Sequence, residues 1–207
     1  MATGKICVGV LVSGKGTNLQ AIINACKAPE FPAKVVLVIS SVTGAYAIKR
    51  AKLVGIQNIT VDHHKFGSTA AFEGEIIRQL RRAKVDLVCL AGFMRVLSPK
   101  MLQEFPHKIM NIHPALLPAF PGLHAQRAAL EHGVKVSGVT IHFVDEGTDT
   151  GPIILQHPVP VHDADTEEIL SKRILRWEHT LYPQAIKLFA EKRLTIQSRK
   201  VLIREGE

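Results

Sequence analysis

With 207 residues, 46% of them hydrophobic, and no run near the roughly 18 to 20 apolar residues that a membrane span requires, the chain can fill one substantial core but offers no membrane-crossing helix. Its formal charge of +8 is scattered and only 5% of its residues are aromatic, which argues against a nucleic-acid platform of basic and stacking groups. Cys7, Cys26 and Cys89 are widely spaced in apolar stretches, so they read as buried, reduced thiols in a cytoplasmic setting rather than as a disulfide frame or metal site.

Ile6 to Val12 is almost continuously apolar, as a strand covered on both faces is. Ser13-Gly14-Lys15-Gly16-Thr17-Asn18 then leads into a helical pattern over Leu19 to Cys26. Its glycines allow a tight turn, and its N–H groups can face an anion. It is not a dinucleotide fingerprint, because Leu19 takes the place of the third glycine and the second strand ends in Ile39-Ser40-Ser41 without an acid for a ribose. Two readings stay open: a plain strand-to-helix turn, or a cradle for a small phosphate monoester.

Further strands are expected at Val35 to Ser40, Ile59 to Val61, Val85 to Ala91 and Lys108 to Ile112. Helical patterns alternate with them at Ala45 to Val54, at Ser68 to Ala83, where Phe72, Ile76 and Leu80 recur at helical spacing, and at Pro99 to Phe105. Strand-helix alternation predicts a doubly wound α/β fold with a mostly parallel sheet. After it, Leu116 to Gly122 is rich in breakers and reads as an ordered loop. Val136 to Val144 alternates as a strand with two unlike faces, and Pro152 to Val161 reads as its antiparallel partner. Asp165, with Glu168 three residues on, is expected to cap a final helix whose buried stripe is Leu170, Ile174, Trp177, Leu181 and Ala185. Pro183 is expected to kink that helix, and a short strand near Leu194 to Ile196 and a basic end follow.

Chemistry is concentrated in Asn111-Ile112-His113-Pro114 and Asp149-Thr150-Gly151-Pro152. Residues two apart on a strand share a face, and Pro114 should stop the strand at His113. Asn111 and His113 would then project together from a strand's carboxyl end, where open α/β sheets hold ligands. An amide donor, an imidazole and a carboxylate are equipment for acyl transfer, although an isolated Asn and His at a strand end also serve as capping or packing residues. The ten histidines show no His-Glu-x-x-His or Cys/His spacing, so no metal is expected. No Ser sits in a Gly-x-Ser-x-Gly elbow, which favours direct transfer over a covalent intermediate.

Taken in order, Ser13 to Gln20, the run Leu90-Ala91-Gly92-Phe93-Met94-Arg95-Val96-Leu97-Ser98, Asn111 to Pro118 and Asp149 to Pro152 give the chain a resemblance to the phosphoribosylglycinamide formyltransferases, folate-dependent enzymes of purine synthesis. The resemblance spans nearly the whole sequence. It implies a single formyltransferase domain over 1–207, with a phosphate-binding α/β half at 1–110 and a catalytic and folate-binding half at 111–207. It implies transfer of the formyl group of 10-formyltetrahydrofolate to the amine of glycinamide ribonucleotide, by direct amine attack through a tetrahedral intermediate and without metal. Asn111 and His113 would hold the formyl oxygen, with Asp149 paired to His113. Gly16, Thr17 and Asn18 would take the substrate phosphate and Glu178 the ribose hydroxyls. Arg95, Val96 and Leu97, with Val144, Asp145, Glu146, Gly147 and Thr148, would form the folate pocket.

Three positions depart from the family's usual residues: Ala115, Leu175 and Ser41-Val42-Thr43. The resemblance points to small-molecule substrates only, with neither nucleic acid nor membrane as partner, and to a monomer or homodimer. A formyltetrahydrofolate hydrolase, a methionyl-tRNA formyltransferase and a non-catalytic phosphate-binding module are the rival readings. The first two would be expected to carry a further domain.

Overall fold

In the computed structural model, which describes residues 4–205, the apolar runs form strands and the periodic stretches between them form helices. Residues up to Met110 make one compact unit and those from Asn111 onward a second. The first runs β1 (Ile6–Val12), α1 (Thr17–Cys26), β2 (Ala33–Ser40), α2 (Tyr46–Leu53), β3 (Gln57–Thr60), α3 (Thr69–Arg82), β4 (Leu87–Leu90) and α4 (Pro99–Glu104), with a single 3-10 turn at His63–Lys65. β5 (Ile109–His113) carries the chain from the first unit into the second, and it ends at His113 because Pro114 has no N–H to continue a ladder.

In the first unit the strands pair in parallel in the order β3-β2-β1-β4, with Leu11 of β1 facing Ile39 on one side and Leu90 on the other. Val8, Val10, Leu11, Leu37, Val38 and Ile39 are wholly buried. Each such side chain contributes about 1.5–3 kcal/mol relative to exposure, and the β-branched ones also suit the pleated surface of a strand. α3 starts where the Ser68 hydroxyl accepts from the Ala71 N–H at 3.2 Å, and it buries Phe72, Ile76 and Leu80 as their spacing predicts, with Ile77 besides.

The second unit continues with α5 (Ala125–Glu131), β6 (Val136–Phe143), β7 (Ile153–Pro160), α6 (Glu167–Ala190), β8 (Leu194–Gln197) and β9 (Lys200–Ile203). β6 and β7 are antiparallel, β8 and β9 form an antiparallel hairpin, and β9 joins β7 in parallel at Ile153 and Lys200. α6 packs on α5, β6 and β7 with Leu170, Ile174, Leu181, Tyr182, Ala185 and Ile186 buried. The fold is α/β, a mostly parallel sheet with antiparallel C-terminal strands, as the order of elements predicts.

Several local expectations give way. The cap of α6 is Thr166, whose hydroxyl accepts from the Ile169 N–H, not Asp165. Asp165 is instead held by Arg173 through two contacts of 2.6 and 2.7 Å, and a bidentate guanidinium competes well for a carboxylate. Trp177 is 39% exposed and stacks on His157 with ring centroids 3.4 Å apart, whereas its neighbour Glu178 is the buried one at 8%. β6 does not have two unlike faces, since every residue after Val136 is buried. α5 was not expected, and the basic end forms β9. None of the three cysteines is bonded to another: Cys89 is buried, while Cys7 and Cys26 are half-buried rather than fully enclosed. Burial nonetheless pushes the Cys26 thiol up to about 11. No described helix is long and apolar enough to cross a membrane.

Candidate active site

β5 projects Asn111 and His113 from one face, and both reach Asp149, which stands in the turn between β6 and β7. His113 Nδ1 lies 3.1 Å from Asp149 Oδ2, and Asn111 Nδ2 donates to Asp149 Oδ1 at 3.1 Å. The Gly122 N–H donates to Oδ2 at 2.8 Å. Asp149 is held in a left-handed backbone conformation, φ 55°, so the turn has been shaped around this side chain.

His142, on β6, completes the group. Its Nδ1 faces the Phe143 carbonyl at 2.8 Å, and a carbonyl only accepts, so Nδ1 carries the proton. Asn111 Nδ2 is a donor only and lies 3.2 Å from Nε2, so Nε2 accepts from it. At 3.6 Å from Asp149 Oδ1, His142 is beyond hydrogen-bond length and reaches the carboxylate through Asn111. This arrangement also fixes which way the Asn111 amide points: turned over, its oxygen would face a carboxylate oxygen.

Burial works against charge on both members of the central pair. His113 is 4% exposed, and its pKa is lowered because desolvation outweighs the charge-favouring Asp149 carboxylate and Phe120 carbonyl. A carboxylate beside an imidazole favours the charged form, but here the enclosure outweighs it. For Asp149, burial alone would raise the pKa, but the Gly122 N–H and the His113 imidazole hold it below its ordinary value. Asp149 is therefore a carboxylate at neutral pH.

Both donors expected to meet a formyl oxygen are engaged in this structure. The two hydrogens of Asn111 Nδ2 are directed at Asp149 and His142, and His113 Nε2 faces the Phe120 carbonyl at 2.7 Å. The loop carrying Phe120 is anchored from beneath. Leu117 N–H donates to the Thr140 hydroxyl at 3.1 Å, that hydroxyl donates to the Ala115 carbonyl at 2.7 Å, and Gln156 Nε2 donates to the Leu117 carbonyl at 2.8 Å. His132 adds an edge-on contact to the Phe120 ring, with centroids 5.3 Å apart.

The segment 144–148, expected to face folate, precedes Asp149 in the same turn. Asp145 Oδ1 receives the Gly147 N–H at 3.1 Å and the Thr150 hydroxyl at 2.6 Å, so its carboxylate ties the turn together. Val144 and Asp145 are half-buried, and Glu146, Gly147 and Thr148 are exposed. Glu178, the expected ribose contact, is buried on α6. Ala115 is fully buried and Leu175 half-buried.

In the first unit, the Ser13–Asn18 loop opens α1 as expected. Gly16 is the residue before the helix at φ 68°, ψ 37°, and a Cβ there would lie 2.6 Å from the Ala47 Cβ, so both conformation and space require glycine. Thr17 is half-buried and Asn18 buried in the first turn. The Ser13 hydroxyl lies 2.8 Å from that of Ser41 and accepts the Met94 N–H at 3.1 Å, which ties the loop after β1 to the segment leading to Arg95, Val96 and Leu97. Of those three, Arg95 and Val96 are exposed and Leu97 is buried. Elsewhere in this unit, possible metal-ligand atoms of Asp62, His63 and His64 lie within 4.8 Å of one another. The Asp62 carboxylate already accepts from the Thr43 hydroxyl and the His64 N–H, and His63 Nδ1 lies 3.2 Å from the Ser41 carbonyl.

Comparison with known proteins places the chain. The formyl transferase family profile matches residues 6–186. The phosphoribosylglycinamide formyltransferase of Escherichia coli is 43% identical over 185 residues, covering 89% of this chain and 87% of that one. The crystal structure of glycinamide ribonucleotide transformylase 1 from Symbiobacterium toebii superposes with a TM-score of 0.95 at 53% identity, covering 97% of this chain and 95% of that one. The trifunctional purine biosynthetic protein adenosine-3 of Drosophila melanogaster is 49% identical over 181 residues, which is 86% of this chain but only 13% of that protein. The chain thus belongs to the formyl transferase family, among the phosphoribosylglycinamide formyltransferases.

Proposed function

We propose that the chain transfers the formyl group of 10-formyltetrahydrofolate to the amine of glycinamide ribonucleotide, a step of purine synthesis, by direct attack of the amine on the formyl carbon. The observation that carries this reading is the convergence of an amide, an imidazole and a carboxylate, with Asn111 and His113 each 3.1 Å from Asp149. Amine attack builds a tetrahedral centre with a negative oxygen and leaves the nitrogen with a surplus proton. Asn111 and His113 supply N–H donors to that oxygen once they exchange their present partners for it. The surplus proton leaves through water toward Asp149 or His113, and uptake by the ring makes it an imidazolium. The imidazolium so formed sits against a carboxylate, which steadies it as charge develops.

In the same reading, Gly16, Thr17 and Asn18 receive the ribonucleotide's phosphate at the start of α1, and Glu178 receives the ribose hydroxyls. Arg95, Val96 and Leu97, with residues 144–148, bind the folate. N–H donors perform the polarising role a metal would otherwise play, so the reaction proceeds without one. The whole chain acts as one formyltransferase domain, since the family match at 6–186 runs through both compact units. Its three cysteines, none joined to another by a disulfide, suit a reducing cytoplasm, and the enzyme acts as a monomer or homodimer on two small molecules.

The test is to supply 10-formyltetrahydrofolate with and without glycinamide ribonucleotide and follow the deformylated folate by absorbance. Turnover that depends on the ribonucleotide supports transfer to the amine. Equal turnover in its absence identifies water as the acceptor and replaces this reading with a hydrolase, and no turnover in either arm leaves a binding module.

A further inference from the structure

Two successive carbonyls of the Ser13–Asn18 loop are held by α2. The Ala47 N–H donates to the Gly14 carbonyl at 3.1 Å, and Arg50 Nε donates to the Lys15 carbonyl at 2.9 Å. In a trans peptide the carbonyl and the following N–H point in opposite directions. Drawing the Gly14 and Lys15 carbonyls toward α2 therefore turns the N–H groups of Lys15 and Gly16 the other way, side by side. Successive N–H groups facing one direction beside a left-handed residue form a concavity suited to an anion, and Gly16 is left-handed.

Arg50 is itself held at more than one point. Its Nη1 donates to Gln20 Oε1 at 3.1 Å, Gln20 Nε2 donates in turn to Asn24 Oδ1 at 3.0 Å along α1, and the guanidinium lies 5.0 Å from the centre of the Tyr46 ring. A planar fork fixed in this way sets the orientation of the carbonyl it grips, which a flexible ammonium on Lys would not do.

We infer that Arg50 is a positioning residue for the ribonucleotide's phosphate: by gripping the Lys15 carbonyl it aims the Gly16 N–H at the anion before substrate arrives. This rests on the reading that the Ser13–Asn18 loop receives that phosphate.

Arg50→Ala and Arg50→Lys are compared with the parent enzyme by calorimetric titration with glycinamide ribonucleotide and with its dephosphorylated riboside, and by steady-state kinetics. Arg50→Ala should raise Kd and KM for the ribonucleotide about ten- to a hundredfold, the range set by loss of a hydrogen bond to a charged group. Its kcat at saturation should stay within about twofold, because the cradle acts on binding rather than on the reacting carbon. Riboside affinity should be unchanged. Arg50→Lys retains the charge without the fork and should resemble Arg50→Ala; it also carries the test should the alanine variant fold poorly. Parental affinity in Arg50→Lys would show that charge alone suffices and overturn the inference, as would equal weakening of ribonucleotide and riboside. A separate arm titrates the parent enzyme with inorganic phosphate and follows the Lys15 and Gly16 amide resonances. Shifts there support the loop as the anion site, whereas still resonances remove the underlying phosphate reading and the inference with it.

Discussion

The Phe120 carbonyl lies 2.7 Å from His113 Nε2, opposite the Asp149 carboxylate at 3.1 Å from Nδ1, so the imidazole is gripped by an acceptor at each end. The nitrogen that would face a formyl oxygen is already occupied by backbone. In the proposed mechanism the loop carrying Phe120 gives up this contact when the formyl group binds. In the protein labelled with 15N-histidine, adding a folate analogue should move the His113 Nε2 resonance, and an unchanged resonance at saturating ligand would show that the carbonyl stays in place.

Thr140 is the anchor of that loop, its buried hydroxyl accepting from Leu117 N–H and Gln156 Nε2 and donating to the Ala115 carbonyl. Thr140→Val keeps the shape but leaves a buried N–H and a buried carbonyl without their partner, at a cost of about 1–3 kcal/mol. Urea unfolding should show the midpoint falling with an unaltered slope. A midpoint equal to the parent's would mean that the loop is held by other contacts.

Removing the Asn111 amide should strike the chemistry more than the fold. One oxyanion donor contributes about 2.7–4 kcal/mol to the transition state, so Asn111→Ala should lose about a hundredfold or more in kcat. A loss below tenfold would exclude Asn111 as a donor to the reacting oxygen.

The burial of His113 should also make the fold sensitive to mild acid. Its ordinary pKa is 6.5 and its folded value lies lower, so below 6.5 the unfolded chain gains a proton that the folded chain resists. Stability is accordingly full above 6.5 and declines as pH falls toward the folded value. Asp149, with a folded value under its ordinary 3.8, contributes stability present above 3.8 that is lost only as pH falls through that lower value. Between about pH 7.5 and pH 5 the decline should therefore come from His113 and be shallower in His113→Gln. Parallel profiles for the two proteins would contradict this assignment.

Most strands were legible because short runs such as Ile6–Val12 are apolar on both faces and bounded by turn residues, as strands covered on both sides are. α5 was not, because its buried residues are Ala125 and Ala129, too small to mark a stripe in seven residues. β9, which lies between β7 and β8, was masked by the lysine and arginines in and around it, which its mostly exposed residues tolerate. Asp165 and Thr166 are adjacent and both able to cap; Arg173, eight residues on, decided between them by engaging the aspartate.

At the site, Asn111, His113 and Asp149 could be singled out because an amide, an imidazole and a carboxylate are the side chains that acyl transfer calls for. His142 could be given only a core or supporting place, since its contact with Asn111 depends on the registration of β6 against β5 and not on any local pattern. The Phe120 carbonyl was beyond reach altogether: every residue has one, and only the path of the loop brings this one to an imidazole. The lowered His113 pKa escaped for a related reason, because a neighbouring carboxylate can be guessed from sequence but the extent of enclosure cannot.

The most direct test follows 10-formyltetrahydrofolate labelled with 13C at its formyl carbon through a single turnover with glycinamide ribonucleotide. With the parent enzyme the label should pass straight to the ribonucleotide's new formamide, and Asp149→Asn should slow that signal severely while the protein remains folded. Label released as free formate, or transfer at the parent rate in Asp149→Asn, would contradict the assignment of formyl transfer to this carboxylate, imidazole and amide.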